Sequence, residues 1–150
     1  MGYHDDLIQH AVFLSELNLP NEPKQVDLRR AVSAAYYSLF HMLTSEAALN
    51  WKHERHRHRF ARMLDHEPMK QRSSEVSSAY PPLKVVAEWF VKLQEARQIA
   101  DYDNSRVWSR AEVRELVAIA RDAIAFWSGI REKEVAQDYL LDLFVPKRKT

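Results

Sequence analysis

The densest run of residues able to do chemistry is Trp51-Lys52-His53-Glu54-Arg55-His56-Arg57-His58-Arg59-Phe60-Ala61-Arg62. It holds five Lys or Arg and three His against one acid. On a helix, Lys52, Arg55, His56, Arg59, Arg62 and, further on, His66 share one face. Fixed cations in such a row release counterions from a nucleic-acid backbone, and Trp51 could stack on a base. The other reading is a solvated cationic face, and the residues alone leave both open. His53 and His56 are three apart and could pair on a helix. No carboxylate completes a convincing ligand set, so no metal is expected.

A second constellation lies upstream. Arg30, Ala34, Tyr37 and His41 step by four, three and four, which places them on one face of a helix. Small residues (Ser33, Ala34, Ser38) stand beside the large polar ones, and that mixture suits close approach of another helix. This face is either a half-buried Arg and His satisfied by neighbours, or a polar seam at a ligand site or dimer interface.

The elements that position these groups follow from apolar spacing of three and four, with no useful run of strict alternation. A first helix is expected from about Asp6 to Leu17, with Asp5 or Asp6 as N-cap. Leu19-Pro20-Asn21-Glu22-Pro23 ends it. A second should run from Lys24 to Leu49 on the stripe Leu28, Val32, Ala35, Leu39 and Leu43. The basic segment forms a third, from His53 to Asp65, with Phe60 and Leu64 turned inward. Glu67 to Tyr80 is polar and reads as a loop. Pro81-Pro82 opens a further helix, and Ser109-Arg110-Ala111-Glu112 is a capping box that opens the next. Gly129 either ends that helix or merely weakens it. Val135 to Phe144 adds a last helical stretch before Pro146. Trp89, Phe90, Phe126 and Trp127 are expected in the core, and Trp108 as a hydrophobic staple. These features predict a single all-α domain over residues 1–150, an antiparallel bundle of four to five helices. Residues 146–150 form a basic tail.

Composition narrows the chemistry. The chain has no cysteine, which excludes thiolate nucleophiles, disulfides and Cys-based metal sites. Its two glycines cannot build a phosphate-cradling loop, and no cofactor is expected. Net charge is +1, so attraction to a polyanion must come from local clusters. The start is acidic, no secretory signal is visible, and no apolar stretch reaches membrane-spanning length. A cytoplasmic protein without membrane contact is the expectation.

The run Arg29-Arg30-Ala31-Val32-Ser33-Ala34-Ala35-Tyr36-Tyr37-Ser38-Leu39-Phe40-His41 resembles the HEPN superfamily, most of all its small stand-alone prokaryotic members. Ala96-Arg97-Gln98-Ile99-Ala100-Asp101-Tyr102-Asp103, followed by a new helix, matches the "Arg, gap, Ala-Asp-Tyr" pattern of that branch. With the helix order, the resemblance covers roughly Asp6 to Trp127. It implies a four- to five-helix bundle that pairs as a two-fold homodimer, in a toxin–antitoxin or defence setting. It also implies RNA or nucleotide as ligand, and a small nucleotidyltransferase or an antitoxin as a possible partner. Many members cut RNA without metal. In them an Arg and a His after a short gap line the dimer cleft. The 2′-hydroxyl attacks the adjacent phosphate, the His moves protons, and the Arg holds developing charge.

Arg97 matches the motif arginine, but no His follows it within reach. A carboxylate is a weaker base than an imidazole, and Asp101 would more simply pair with Arg97 across one helical turn. Arg59 and His66 satisfy the bare spacing, in a different helix where Arg and His are dense. Three readings therefore stand. One is a module binding nucleic acid or nucleotide, with Arg30, Tyr37, Arg97 and Tyr102 near the cleft and the row Lys52, Arg55, His56, Arg59 and Arg62 on the backbone. Another is a metal-independent ribonuclease with Arg97, Asp101 and His41 at its centre. The third is a non-catalytic partner of a nucleotidyltransferase.

Overall fold

The computed structural model describes residues 2–76 and 80–145. They form seven α-helices, with no strand among the described residues. Four are long: α1 (Tyr3–Glu16), α2 (Gln25–Ala48), α5 (Pro81–Tyr102) and α6 (Arg110–Ile130). Three are short: α3 (Glu54–Arg62), α4 (His66–Ser74) and α7 (Glu134–Phe144). None is long and apolar enough to cross a membrane. The basic tail at 146–150 lies outside the described residues, as do two of the serines in the segment expected to be a loop.

Helix α2 runs through the middle. It packs on α1, α5 and α6, and touches α3 and α7. Its expected stripe is buried, but so are Ala31, Ala34, Tyr36, Ser38, Phe40 and Met42. A helix enclosed by several partners buries more than one face, which a single stripe understates. Helix α1 begins earlier than expected. Gly2 stands at its N-cap and donates its N–H to Asp5 Oδ2 at 2.9 Å. Asp5 is therefore a first-turn acid rather than the cap.

Helix α4 corrects the expected loop. Met69 and Ser73 are one turn apart and both buried, and the Ser73 hydroxyl lies 2.8 Å from the Tyr139 hydroxyl of α7. Arg72 donates to the Leu143 carbonyl near the end of α7. One inward residue per turn suffices to hold α4, so its sequence reads as polar.

At the other end, α6 opens on the expected capping box: Glu112 N–H donates to Ser109 Oγ and Ser109 N–H to Glu112 Oε1, both at 3.2 Å. Trp108 just before it is buried, its backbone clasped in both directions by the Gln25 amide at 2.8 Å. Trp127 is buried and donates Nε1–H to Glu46 of α2 at 2.7 Å. Phe126 departs from the core assignment. It is 43% exposed and lies against the half-buried Trp89, ring centroids 5.7 Å apart.

Gly129 does not end α6, which continues to Ile130. Its φ is not positive, and a Cβ added there would meet nothing within 4 Å. Glycine inside a helix costs about 0.5–1 kcal/mol relative to alanine, mainly through backbone entropy. Gly129→Ala is expected to stabilise the protein by about that amount, read as a raised midpoint in a urea melt. An unchanged or lowered midpoint would contradict the open helical site.

Candidate functional site

Three helices meet around one guanidinium. Arg97, in the penultimate turn of α5, is only 6% exposed. Its guanidinium carbon lies 5.3 Å from the ring centroid of Tyr36 and 5.7 Å from that of Tyr37, both on α2. Arg97 Nη1 faces Asp101 Oδ2 at 3.7 Å, one turn on. That is a Coulombic contact, too long for a hydrogen bond. Ser33 donates a long bond of 3.5 Å to the same carboxylate. Arg97 Nε is buried without a hydrogen-bond partner, and so are both polar atoms of the Gln94 amide, three residues earlier on the same helix.

The third helix brings a histidine. His66, the first residue of α4, sets Nδ1 2.7 Å from the Tyr36 hydroxyl. Its ring also packs on Phe40 at 4.5 Å and on Tyr37 at 5.7 Å. Burial pushes the His66 pKa below the ordinary imidazole value, and the Arg97 charge pushes it further, against a smaller opposing pull from Asp65. Burial pushes the Tyr36 phenol up. The phenol keeps its proton and the imidazole stays neutral, so the two share a neutral hydrogen bond in which Tyr36 donates to Nδ1 in the tautomer that carries the ring proton on Nε2.

The sequence-derived candidates separate into groups. Arg97, Tyr37 and Asp101 come together as above. His41 packs on Tyr3 at 4.9 Å, Phe40 at 5.3 Å and Tyr37 at 6.1 Å. Its pKa is lowered by burial first, then by His66 and His4. It is therefore His66, not His41, that hydrogen-bonds the tyrosine beneath Arg97. Arg30 and Tyr102 are exposed and border a shallow depression with Ser33 and Asp101, so Asp101 is wall to both the depression and the buried guanidinium.

The basic row sits apart on α3. Lys52 precedes that helix; Arg55, Arg59 and Arg62 are exposed, and His56 is half-buried. Among the described residues none of the four α3 arginines has a carboxylate within 4.0 Å; the helix's one acid, Glu54, faces His58 at 3.7 Å. Trp51 does not offer both faces to a base, because its ring stacks on Phe60 at 4.9 Å. Among the described residues, no group of three His, Asp or Glu could hold a metal ion.

His66 reads from the sequence as the far end of the basic face and as a bare-spacing match to Arg59, not as a neighbour of Arg97, because the segment from Glu67 onward reads as a loop and no helix is expected to start at His66. Asp65 ahead of it and Pro68 in the following turn are helix-start signals that would have placed it at a helix N-terminus. Compared with models of protein families, with curated proteins and with solved structures, the chain finds no match.

Both depressed imidazoles make stability depend on pH, and the sign follows from linkage. The folded chain holds His41 and His66 neutral at pH values where the unfolded chain, titrating near 6.5, already binds protons. Their contribution is complete above about pH 6.5 and is lost as pH falls through the lower folded values. A lower melting temperature is expected at pH 5.5 than at 7.5, with a smaller drop in the His41→Gln/His66→Gln double variant. An equal drop in that variant would remove these two groups as the cause.

Proposed function

We propose that this chain is a HEPN-like module that holds the phosphate of a nucleotide or of RNA against Arg97. One observation carries the reading: a nearly buried guanidinium, fixed by two tyrosine rings, makes no hydrogen bond in the described structure and has only a carboxylate at 3.7 Å. Buried polar groups are nearly always satisfied. Guanidinium matches phosphate with two parallel N–H···O bonds, and stacking on rings holds it in place for that fork. An incoming phosphate would take the place of the distant Asp101. The neutral His66 adds no charge in competition, and with its ring proton on Nε2 it supplies a second donor. Arg30 and Tyr102 flank the approach at the neighbouring depression. Tyr102 is 77% exposed, with exposed Val26 and Ile99 nearby, a partly apolar rim that suits pairing with a second copy. A homodimer in light scattering at tens of micromolar supports that part of the reading, and a monomer removes it.

A ribonuclease reading gains from His66. In it His66 takes the proton of a 2′-hydroxyl and the oxygen attacks the adjacent phosphorus. The 5′-oxygen leaves with a proton, and Arg97 holds the charge on the phosphoryl oxygens. This replaces His41 with His66 in the proton-transfer role.

Calorimetric titration with a nucleoside monophosphate tests the binding claim. Loss of a hydrogen bond to a charged group costs about 1.5–3 kcal/mol, so Arg97→Lys is expected to weaken binding by about tenfold or more. Lysine keeps the charge but not the planar fork. No binding by the native protein, or equal binding by the variant, would overturn the claim. Cleavage of a labelled RNA in EDTA, reduced about 10²–10⁴-fold by His66→Gln, would select the ribonuclease reading; no cleavage would leave binding alone.

A further inference from the structure

We infer that the outer ridge of α3 is a separate docking strip for the backbone of a single-stranded nucleic acid, one that feeds the Arg97 site. The inference deepens the nucleotide reading by naming a polynucleotide. It rests on that reading for where the strand leads, but not for the ridge's own contact.

Arg55, Arg59 and Arg62 stand at positions i, i+4 and i+7, so they form one row. All three are exposed, and none has a carboxylate in ion-pair range among the described residues. Seven residues of helix at 1.5 Å each span about 10 Å, long enough for the row to meet successive phosphates of one strand. Three exposed arginines elsewhere are engaged, while Arg30 and Arg121 stand singly without a partner among the described residues. Arg106 pairs with Glu112, Arg114 with Glu16, and Arg131 with Glu46. The ridge is thus a local excess of cation on a chain of net charge +1.

The occupant follows from what α3 lacks. A helix that binds an anionic lipid surface presents an apolar face beside its cations. In α3 the large apolar residue is Phe60, and its ring is taken up by Trp51 at 4.9 Å and Phe144 at 5.1 Å. Within α3 no large apolar side chain is exposed beside the arginine row, and the exposed Met63 lies just past its end, which suits a hydrophilic polyanion better than a lipid surface. The position of the ridge favours a flexible strand over a duplex. Arg62 closes α3, and His66, the Tyr36 partner, opens α4 four residues later. Four residues reach at most about 14 Å. A strand lying on Arg55, Arg59 and Arg62 is therefore led past the exposed Asp65 to the histidine beside Arg97. Arg97 is 6% exposed, too enclosed to meet a double helix.

The test uses the full chain and a fluorescein-labelled single-stranded oligouridine, with anisotropy measured across a salt series. Each neutralised phosphate of a single strand contributes about 0.7 to the log–log slope. Arg55→Gln/Arg59→Gln is expected to flatten the slope by about 1.4 on that rule, while binding of a nucleoside monophosphate stays unchanged. Arg55→Lys/Arg59→Lys should restore the slope, which separates lost charge from lost fold. Arg97→Lys should instead weaken the monophosphate and leave the slope contribution of the ridge in place, so each site fails by its own signature. An unchanged slope in the glutamine variant overturns the strip. So does failure of the native protein to bind the oligomer, or selective binding to phosphatidylglycerol vesicles in its place.

Discussion

The constraint that shapes this molecule is the termination of helices without glycine. Each helix leaves carbonyls at its C-terminal end that its own backbone cannot satisfy, and the usual remedy is a left-handed glycine just past the end. The chain has two glycines, one at the start and one inside α6, and neither has positive φ. Asn18, with φ 74°, takes the left-handed position after α1, and at several helix ends arginine side chains take the carbonyls. Arg110 reaches back to the Ser15 and Leu17 carbonyls at the end of α1, at 3.0 and 2.7 Å. Arg29 takes the carbonyls of Ala100 and Asp103 at the end of α5, at 3.2 and 2.9 Å, and that of Arg106 at 2.9 Å. Arg72 takes Leu143 at the end of α7, and Arg57 takes Trp51 just beyond α2. Each such arginine comes from an element distant in sequence or from the next helix along. Closing a helix and joining it to a neighbour are therefore one event here, since a planar fork with five donors can satisfy several carbonyls at once.

This division of labour gives the remaining arginines their meaning. Those on carbonyls are structural, and those on carboxylates are surface pairs of the kind that contribute little. Arg97 belongs to neither group. It is buried like a structural residue, yet it meets two tyrosine faces in place of a carbonyl. Contact with aromatic rings stabilises a desolvated cation by about 2 kcal/mol or more, and its one carboxylate, Asp101, stands at 3.7 Å without a hydrogen bond. The consequence reaches its neighbours. Its charge adds to burial in holding His66 neutral, and burial raises the Tyr36 phenol, so the hydrogen bond between them joins two neutral groups.

Much of the fold was legible because its signals are local. The capping box at Ser109, the prolines at 81 and 82 and the stripe from Leu28 to Leu43 each sit within one helix, and each appears as expected. The arginine clasps were not legible. Arg29 lies 71 residues from the Ala100 carbonyl it holds, and nothing about its own neighbours announces that partner. The candidate site was half legible for the same reason. Arg97 and Asp101 are one turn apart, and Tyr37 lies on a readable face. His66 arrives through α4, a helix held by Met69, Ser73 and Arg72 against α7 and α5, and its amphipathic signal is weak because it buries so little. Trp51 was legible only in part: an aromatic beside a basic run looks ready to stack on a base, while Phe60 nine residues on takes one face of its ring.

The energetics of α3 point the same way as its surroundings. Like charges three and four apart on a helix repel by a few tenths of a kcal/mol per pair. Arg55 with Arg59, and Arg59 with Arg62, are such pairs, and only Glu54 relieves the helix, through His58. Arg59 and Arg62 at least sit in the last turn, where cations suit the helix dipole. Arg55 sits in the first turn, where the dipole opposes it. The helix buries none of its residues fully and is anchored mainly through Phe60. Within the fold, then, this row costs stability and returns little. A polyanion laid along it reverses the sign of each of those repulsions at once. Helix α3 joins α4 through only three residues, so the cationic row and the helix that carries His66 are neighbours along the chain.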